Sequence, residues 1–292
     1  MGVVQPQVEV PGIEQDVYSP RRALRRFWRN KLGVVGLGIV AGFVLMALLA
    51  PVIAPYPPLA THFSHAFQSP SSRHWLGTDE LGRDVLSRII YGARSSLASG
   101  VLIVAIGVAI GVPVGLVSGY YGGVVDDVVM RLVDAALAFP ALVLALAIAW
   151  ILGPSLMHAV FAIAAVTIPQ FARITRGQVL SARSREYVEA ARCLGASPWR
   201  IMLQHVLLNA ATPIIVVATL NIGGAILAVA SLSFLGLGPP PPSPNWGSML
   251  QDGSQYLNMA PWISLFPGLA IFLAVLGFST MGDGLRDVFD PK

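Results

Sequence analysis

Few residues in this chain could do chemistry. His62 and His65 stand three apart, with His74 further along the same polar segment. Imidazoles at such spacing can hold a metal ion, but no cysteine flanks them and no helical pattern fixes their geometry, so no metal site is expected. Asp126, Asp127, Arg131 and Asp134 cluster beside an apolar run. Asp127 and Arg131, four apart, are expected to pair on one helix face. A carboxylate deep in a membrane would suggest an ion relay, but these groups lie at the end of the run, where a structural pair is the simpler role. His158, inside another run, is expected to be packed or hydrogen-bonded. No G-x-x-x-x-G-K-[ST] stretch occurs, so the chain carries no phosphate-cradling loop. Lone Cys193 leaves no intrachain disulfide. With no catalytic constellation, the chain is expected not to be an enzyme and to bind no cofactor itself.

The elements that hold these residues are apolar. The 292 residues are 55% hydrophobic and only 12% charged, about half the ~25% charge of ordinary soluble domains. Mean hydropathy is +0.69. So little charge cannot cover a soluble surface of this size, which points to a membrane protein. The net charge of +4 is not a nucleic-acid footprint, because the arginines group by topology. Arg21, Arg22, Arg25, Arg26, Arg29 and Lys31 precede the first apolar run; Arg173, Arg176, Arg183, Arg185, Arg192 and Arg200 fall late in the chain. The first run is too long for a signal-peptide core and reads as a retained anchor.

Six spans are expected, near 32–56, 94–121, 128–152, 156–176, 210–235 and 261–281. The long uncharged run from Ala135 to Ala172 is divided at Gly153-Pro154-Ser155. The fold class is therefore an all-α polytopic membrane protein: a tail over 1–31 and a transmembrane domain over 32–292. Six spans place both termini on one side, and the basic tail makes that side cytoplasmic. Residues 177–208 then share it, while 57–93 and 236–260 face out. Within Gly77–Leu97, Thr78 is expected to cap a helix whose first turn holds Asp79 and Glu80. Leu81, Val85, Leu86, Ile89 and Ile90 form one stripe, as in an interfacial helix leading into span two; substrate contact is the other reading. "GLGPPPPSPNWG" (236–247) must be an extended loop, either a stiff connector or a docking edge for an external partner. The spans are nearly free of charge, whereas proton-coupled carriers place ionisable groups within them. Energy for moving a solute would then enter elsewhere.

One stretch interrupts the apolar pattern. Glu186–Asn209, "EYVEAARCLGASPWRIMLQHVLLN", begins with helix formers, acids early and Arg192 late, matching the helix dipole. Gly195 is a natural helix stop, and Ser197-Pro198 reads as the cap and first residue of a second helix. The segment is two short helices joined by a tight elbow. Small residues Ala190, Ala191 and Gly195 suit insertion into a groove of another protein; an amphipathic connector lying on lipid is equally compatible.

"EAARCLG", followed after nine intervening residues by "HVLL", resembles the EAA motif of permease subunits of ABC importers, E-A-A-x-x-x-G, nine residues and then I-x-L-P. His205 stands at the isoleucine position and Leu208 replaces the proline. "LGTDELGRDVLSRIIYGARSSL", "SLSFLGLGPPPPSPNWGSML" and "PWISLFPGLAIFLAVLGFSTMGDGLRDVFDPK" are similar to C-type permease subunits of dipeptide and oligopeptide importers. The resemblance covers about Ser19 to Lys292. It implies the type I importer permease fold and a coupling loop over 182–208, in which Glu189, Ala190, Ala191 and Gly195 dock on an ATPase. It also implies a B-type permease as heterodimer partner, two cytoplasmic ATP-binding subunits that hold ATP and Mg, and an extracytoplasmic solute-binding protein. The implied setting is the bacterial cytoplasmic (inner) membrane. The implied function is the translocation subunit of an ATP-driven importer of dipeptides or oligopeptides; nickel, glutathione or another peptide-like solute is the alternative, and a self-sufficient ion-coupled carrier the reading from another class.

Overall fold

The computed structural model describes Arg25 and residues 27–289. Most of the expected N-terminal tail, including Arg21, Arg22 and Arg26, lies outside the described residues. Among these the regular structure is helical: α1 (Lys31–Leu48), α2 (Val85–Tyr121), α3 (Gly123–Leu137), α4 (Ala141–Leu152), α5 (Leu156–Arg183), α6 (Glu186–Cys193), α7 (Pro198–Leu237), α8 (Trp246–Ser254) and α9 (Trp262–Phe289). The sole β pairing among them is an isolated bridge between Thr78 and Asp84. Among the described residues five helices, α1, α2, α5, α7 and α9, are long and apolar enough to cross a membrane, or six if the bent pair α3–α4 counts as one span.

Three elements differ from the sequence expectation. The helix preceding span two starts at Val85 rather than Thr78, because side chains upstream compete for the backbone. The Asp79 carboxylate accepts the amides of Leu81 (3.0 Å) and Arg83 (2.8 Å), folding 79–83 into a turn. Asp84 is the cap, accepting from the Ser87 amide and hydroxyl, each at 2.8 Å. From there α2 runs unbroken for 37 residues, about 55 Å at 1.5 Å per residue, well beyond a ~30 Å hydrocarbon core. Its first turns, with Val85, Ile89, Ile90 and Ala93, are buried in protein and do not lie on a membrane surface.

The span expected as one helix over 128–152 is two helices bent by 86°. Pro140 causes the break: it lacks an amide donor and pushes Phe139 out of helical backbone. The span expected from 210 begins earlier. Leu208 stands where the EAA pattern has a proline, and the second elbow helix continues into the apolar span as α7, through a π-helical stretch over Ile201–Leu207. The 236–247 loop is non-helical from Gly238 to Asn245, close to expectation.

Two seams organise the bundle. α2 lies against α5 along Gly107, Gly111, Gly115 and Gly119, a glycine at every fourth residue. A Cβ at Gly111 would sit 2.6 Å from the Ile168 carbonyl oxygen, and one at Gly115 2.2 Å from that of Ala172. Only glycine permits this approach, the small-residue packing that replaces the hydrophobic effect between helices in lipid. At the end of the bundle where α2 begins, α8 docks through fully buried Trp246, whose indole donates to the Ile89 carbonyl (3.0 Å) and meets Phe43 edge-on at 5.4 Å. Leu32, Leu45 and Leu48 on α1 are exposed, the apolar outer surface that suits a membrane-crossing helix.

Candidate functional site

The elbow between α6 and α7 lies at the end of the bundle where α2 finishes. α6 closes with paired backbone bonds, the Gly195 amide to the Arg192 carbonyl (2.9 Å) and the Ala196 amide to the Ala191 carbonyl (3.1 Å). This Schellman arrangement needs a left-handed residue, and Gly195 supplies it with φ +78°. Ser197 caps the next helix by accepting the Arg200 amide (3.4 Å), with Pro198 in the first turn. The cap and the stop stand where the sequence puts them.

The elbow is half anchor and half display. Val188 and Ala191, three apart, share one face of α6. They pack with Ile201, Met202 and Val206 of α7 against Leu116 of α2 and Val179 of α5. Glu189, Ala190 and Gly195 are exposed on the other side. Ala191 therefore belongs to the anchor, not to the displayed surface expected of it. In its place stand two apolar residues that the sequence reading passed over, Leu194 (88% exposed) and Trp199 (60% exposed). Their signal was present: both lie off the stripe of Val188, Ala191 and Met202, on either side of the Gly195–Pro198 turn.

Arginines bind this end together. Arg183 donates to the carbonyls of Gly119 (2.9 Å) and Tyr120 (3.2 Å), satisfying the C-terminus of α2. The Arg192 guanidinium sits 5.7 Å from the centre of the Tyr120 ring, tying α6 to the same helix end. Asp126 accepts from Arg176 at 2.7 and 2.5 Å and from the Ser118 hydroxyl at 2.5 Å. Asp134 pairs with Arg173. The expected Asp127–Arg131 pair does not form among the described residues, where both side chains face outward. α5 packs across α3 and presents its own arginines to Asp126 and Asp134, bidentately at Asp126.

The opposite end holds a second polar cluster. His74 Nδ1 lies 2.9 Å from Asp84 Oδ1, which places this imidazole in the cap of α2. His62 and His65 stack loosely, with ring centres 5.9 Å apart. Among the described residues no group of three His, Cys, Asp or Glu side chains is arranged to hold a metal ion. Arg83 bonds Asp79 (2.5 Å) and Glu80 (2.7 Å). Burial, and then the neighbouring Asp79 charge, pushes the Glu80 carboxyl above its usual range. Burial does the same to Asp252. His158, as expected, is hydrogen-bonded, its Nδ1 2.9 Å from the Gly153 carbonyl oxygen.

Comparison with known proteins identifies the family. Residues 111–292 match the family described as "Binding-protein-dependent transport system inner membrane component", and residues 20–70 match the "N-terminal TM domain of oligopeptide transport permease C". The dipeptide transport system permease protein DppC of Alkalihalophilus pseudofirmus is 46% identical over 99% of this chain and 95% of its own length. DppC of Escherichia coli K12 is 49% identical over 94% of each chain. The glutathione transport system permease protein GsiD of Pectobacterium atrosepticum is 43% identical over 96% of this chain and 93% of its own. Among solved structures, the inward-facing MetNI methionine ABC transporter contains a chain that shares the fold, with a TM-score of 0.58 at 20% identity, over 70% of this chain and 97% of that one. The chain is a multi-pass membrane permease and belongs to the family of binding-protein-dependent transport system inner membrane components, with the N-terminal transmembrane domain of the oligopeptide permease C type.

Proposed function

We propose that this chain is the translocation subunit of an ATP-driven importer of dipeptides or oligopeptides. It pairs with a B-type permease, receives its solute from an extracytoplasmic binding protein, and is driven by two cytoplasmic ATP-binding subunits. Nucleotide and Mg belong to those subunits, not to this chain. The observation that carries the reading is the two-faced elbow, in a chain 46% identical to a dipeptide permease over nearly its full length. Glu189, Ala190 and Gly195, with Leu194 and Trp199, form the face that enters the ATPase groove. Ala191 and Val188 hold that face to the bundle.

The geometry supports a direct transmission. The second elbow helix and its membrane span are one helix, α7, so displacement of the elbow moves the span. Arg183 and the Arg192–Tyr120 contact pass the same displacement to α2, whose far end lies among the outer loops. ATP-driven closure of the two ATPases then shifts the permease pair between inward- and outward-facing states by binding one of them better. Glutathione remains the second reading, supported by the 43% identity to a glutathione permease.

The test is uptake by proteoliposomes holding the complete complex. Labelled dipeptide should accumulate only with ATP and binding protein, and unlabelled glutathione should not compete. Accumulation by this chain alone, driven by an ion gradient, would sink the proposal; strong competition by glutathione would move it to the second reading.

A further inference from the structure

Halfway along the spans, α4, α5 and α7 enclose a groove of about 350 Å³, in the range of small-molecule sites. The break at Pro140 makes it: α4 turns away from α3 there, and Ala141 and Ala145 form one wall. The other walls carry Thr167 and Gln170 from α5 and Asn221 and Ser231 from α7. No charged residue lines it.

The hydrogen bonding of these four side chains is uneven. Thr167 donates to the Ile163 carbonyl (2.8 Å), and Ser231 to that of Leu227 (2.8 Å). Both are satisfied along their own helices. Asn221 donates one amide proton to the Val217 carbonyl (2.9 Å), which leaves its Oδ1 as a free acceptor. The Gln170 carboxamide has no hydrogen-bond partner among the described residues. Neither group is sealed inside the protein, since the buried side-chain atoms without partners are elsewhere, on Glu80, Thr175, Ser233 and Asn245. Both therefore open into the groove. Polar groups at membrane depth that met only lipid would be costly to keep, so such residues face a water-filled space or a polar ligand.

We propose that Gln170 and Asn221 are substrate-contacting residues that hold the peptide amide of the solute during passage. The inference rests on the importer reading above and deepens it. A carboxamide offers a donor pair and an acceptor, the complement of a peptide group. Relatives 43–49% identical to this chain are named for dipeptides, D,D-dipeptides and glutathione. These solutes differ in side chains and in configuration, and the amide bond is the chemistry they share. A neutral groove that reads this bond suits all three, leaving charge and side-chain selection to other components.

The test uses the complete complex in proteoliposomes, with Cys193→Ser as background. Gln170→Cys and Asn221→Cys should react with a charged methanethiosulfonate reagent, while a cysteine at exposed Phe161 on the outer surface of α5 should not. Gln170→Leu and Asn221→Leu should each lower dipeptide uptake at least tenfold, with the ATPases and second permease still attached. They should also lower by at least threefold the preference for a dipeptide over its N-methyl-amide analogue. The binding protein is the same in every assay, so a changed ratio belongs to the permease. Wild-type uptake and ratio in both leucine variants would overturn the proposal. Silence of both cysteines toward the reagent would do so as well, as would loss of the second permease at an unchanged ratio; the last would make the carboxamides a subunit contact. Wild-type complex that imports no dipeptide defeats the parent reading instead, and reagent access alone then decides whether the groove is a water-filled path.

Discussion

Gly195 carries the elbow through its backbone alone. A Cβ there would meet nothing within 4 Å, so substitution is penalised only by φ +78°. The left-handed region costs most residues about 1–2 kcal/mol and β-branched ones are the worst suited, whereas asparagine is tolerated. Gly195→Asn should therefore keep most uptake, and Gly195→Val should lose most of it at an unchanged membrane level, measured by dipeptide transport and immunoblot. At the other end of the molecule, Glu80 is held above the usual carboxylate value of 4.5 by burial and by Asp79. A raised folded-state value means that the folded chain holds the proton more tightly. Its stabilising effect is complete below the unfolded value and is lost as pH rises through the folded one. The thermal midpoint of the wild type should thus fall as pH climbs above about 4.5. Glu80→Gln should flatten that fall and be at least as stable at neutral pH. A steeper profile in the variant would contradict this account. Asp252, shifted in the same direction, leaves a residual slope that Asp252→Asn should remove.

Helices were legible in the sequence where a local rule sets them, and illegible where side chains or distant elements do. The Gly195 stop, the Ser197-Pro198 start and the break at Gly153 each depend on one or two residues, and all stand as read. Thr78 offered an equally good cap on paper, but Asp79 folds its own turn and Asp84 takes the role. Pro140 was visible, yet the apolar run continues across it, and hydropathy alone reads such a run as one span. Asp127–Arg131 had helical spacing, but the stronger partners come from α5, which no local spacing reveals. The α2 glycine stripe was readable as a four-residue period and was passed over. Its weight can be tested. Gly111→Leu must push α2 and α5 apart, because the Cβ would already lie 2.6 Å from a backbone oxygen. Overpacking of this kind costs about 1–3 kcal/mol, more where backbone must move. Gly177→Leu on exposed α5 surface, where a Cβ meets nothing, is the control. Thermal unfolding in detergent should show a clear drop for the first and almost none for the second.

In the whole molecule the two ends are unlike. The elbow end collects Arg173, Arg176, Arg183, Arg185, Arg192 and Arg200, the excess expected of a cytoplasmic face. The other end carries the proline loop, α8 and the Asp79–Arg83–Glu80 network. With Cys193 replaced, a cysteine at exposed Ser184 should resist impermeant thiol reagents in intact cells and one at exposed Ser243 should react; the reverse would invert the topology. Within that orientation Glu189 is the residue that separates docking from lipid contact. Its carboxylate is exposed in the first turns of α6, where the helix dipole favours it. Beside it, Leu194 and Trp199 present apolar surface to whatever lies beneath. If that is an anionic leaflet, Glu189→Lys should be tolerated or even improve attachment, since each lysine there gains about 1 kcal/mol. If it is an ATPase groove, the reversal places a wrong charge at a desolvated contact without touching the buried anchor of Val188 and Ala191. The variant should then reach the membrane, keep its partner permease and retain the wild-type thermal midpoint, yet recover at most a tenth of the ATPases in pull-down and lose uptake to match. Glu189→Gln, which removes the charge but keeps the shape, should fall between the two. Full ATPase recovery with Glu189→Lys would place the docking surface elsewhere on this end of the bundle.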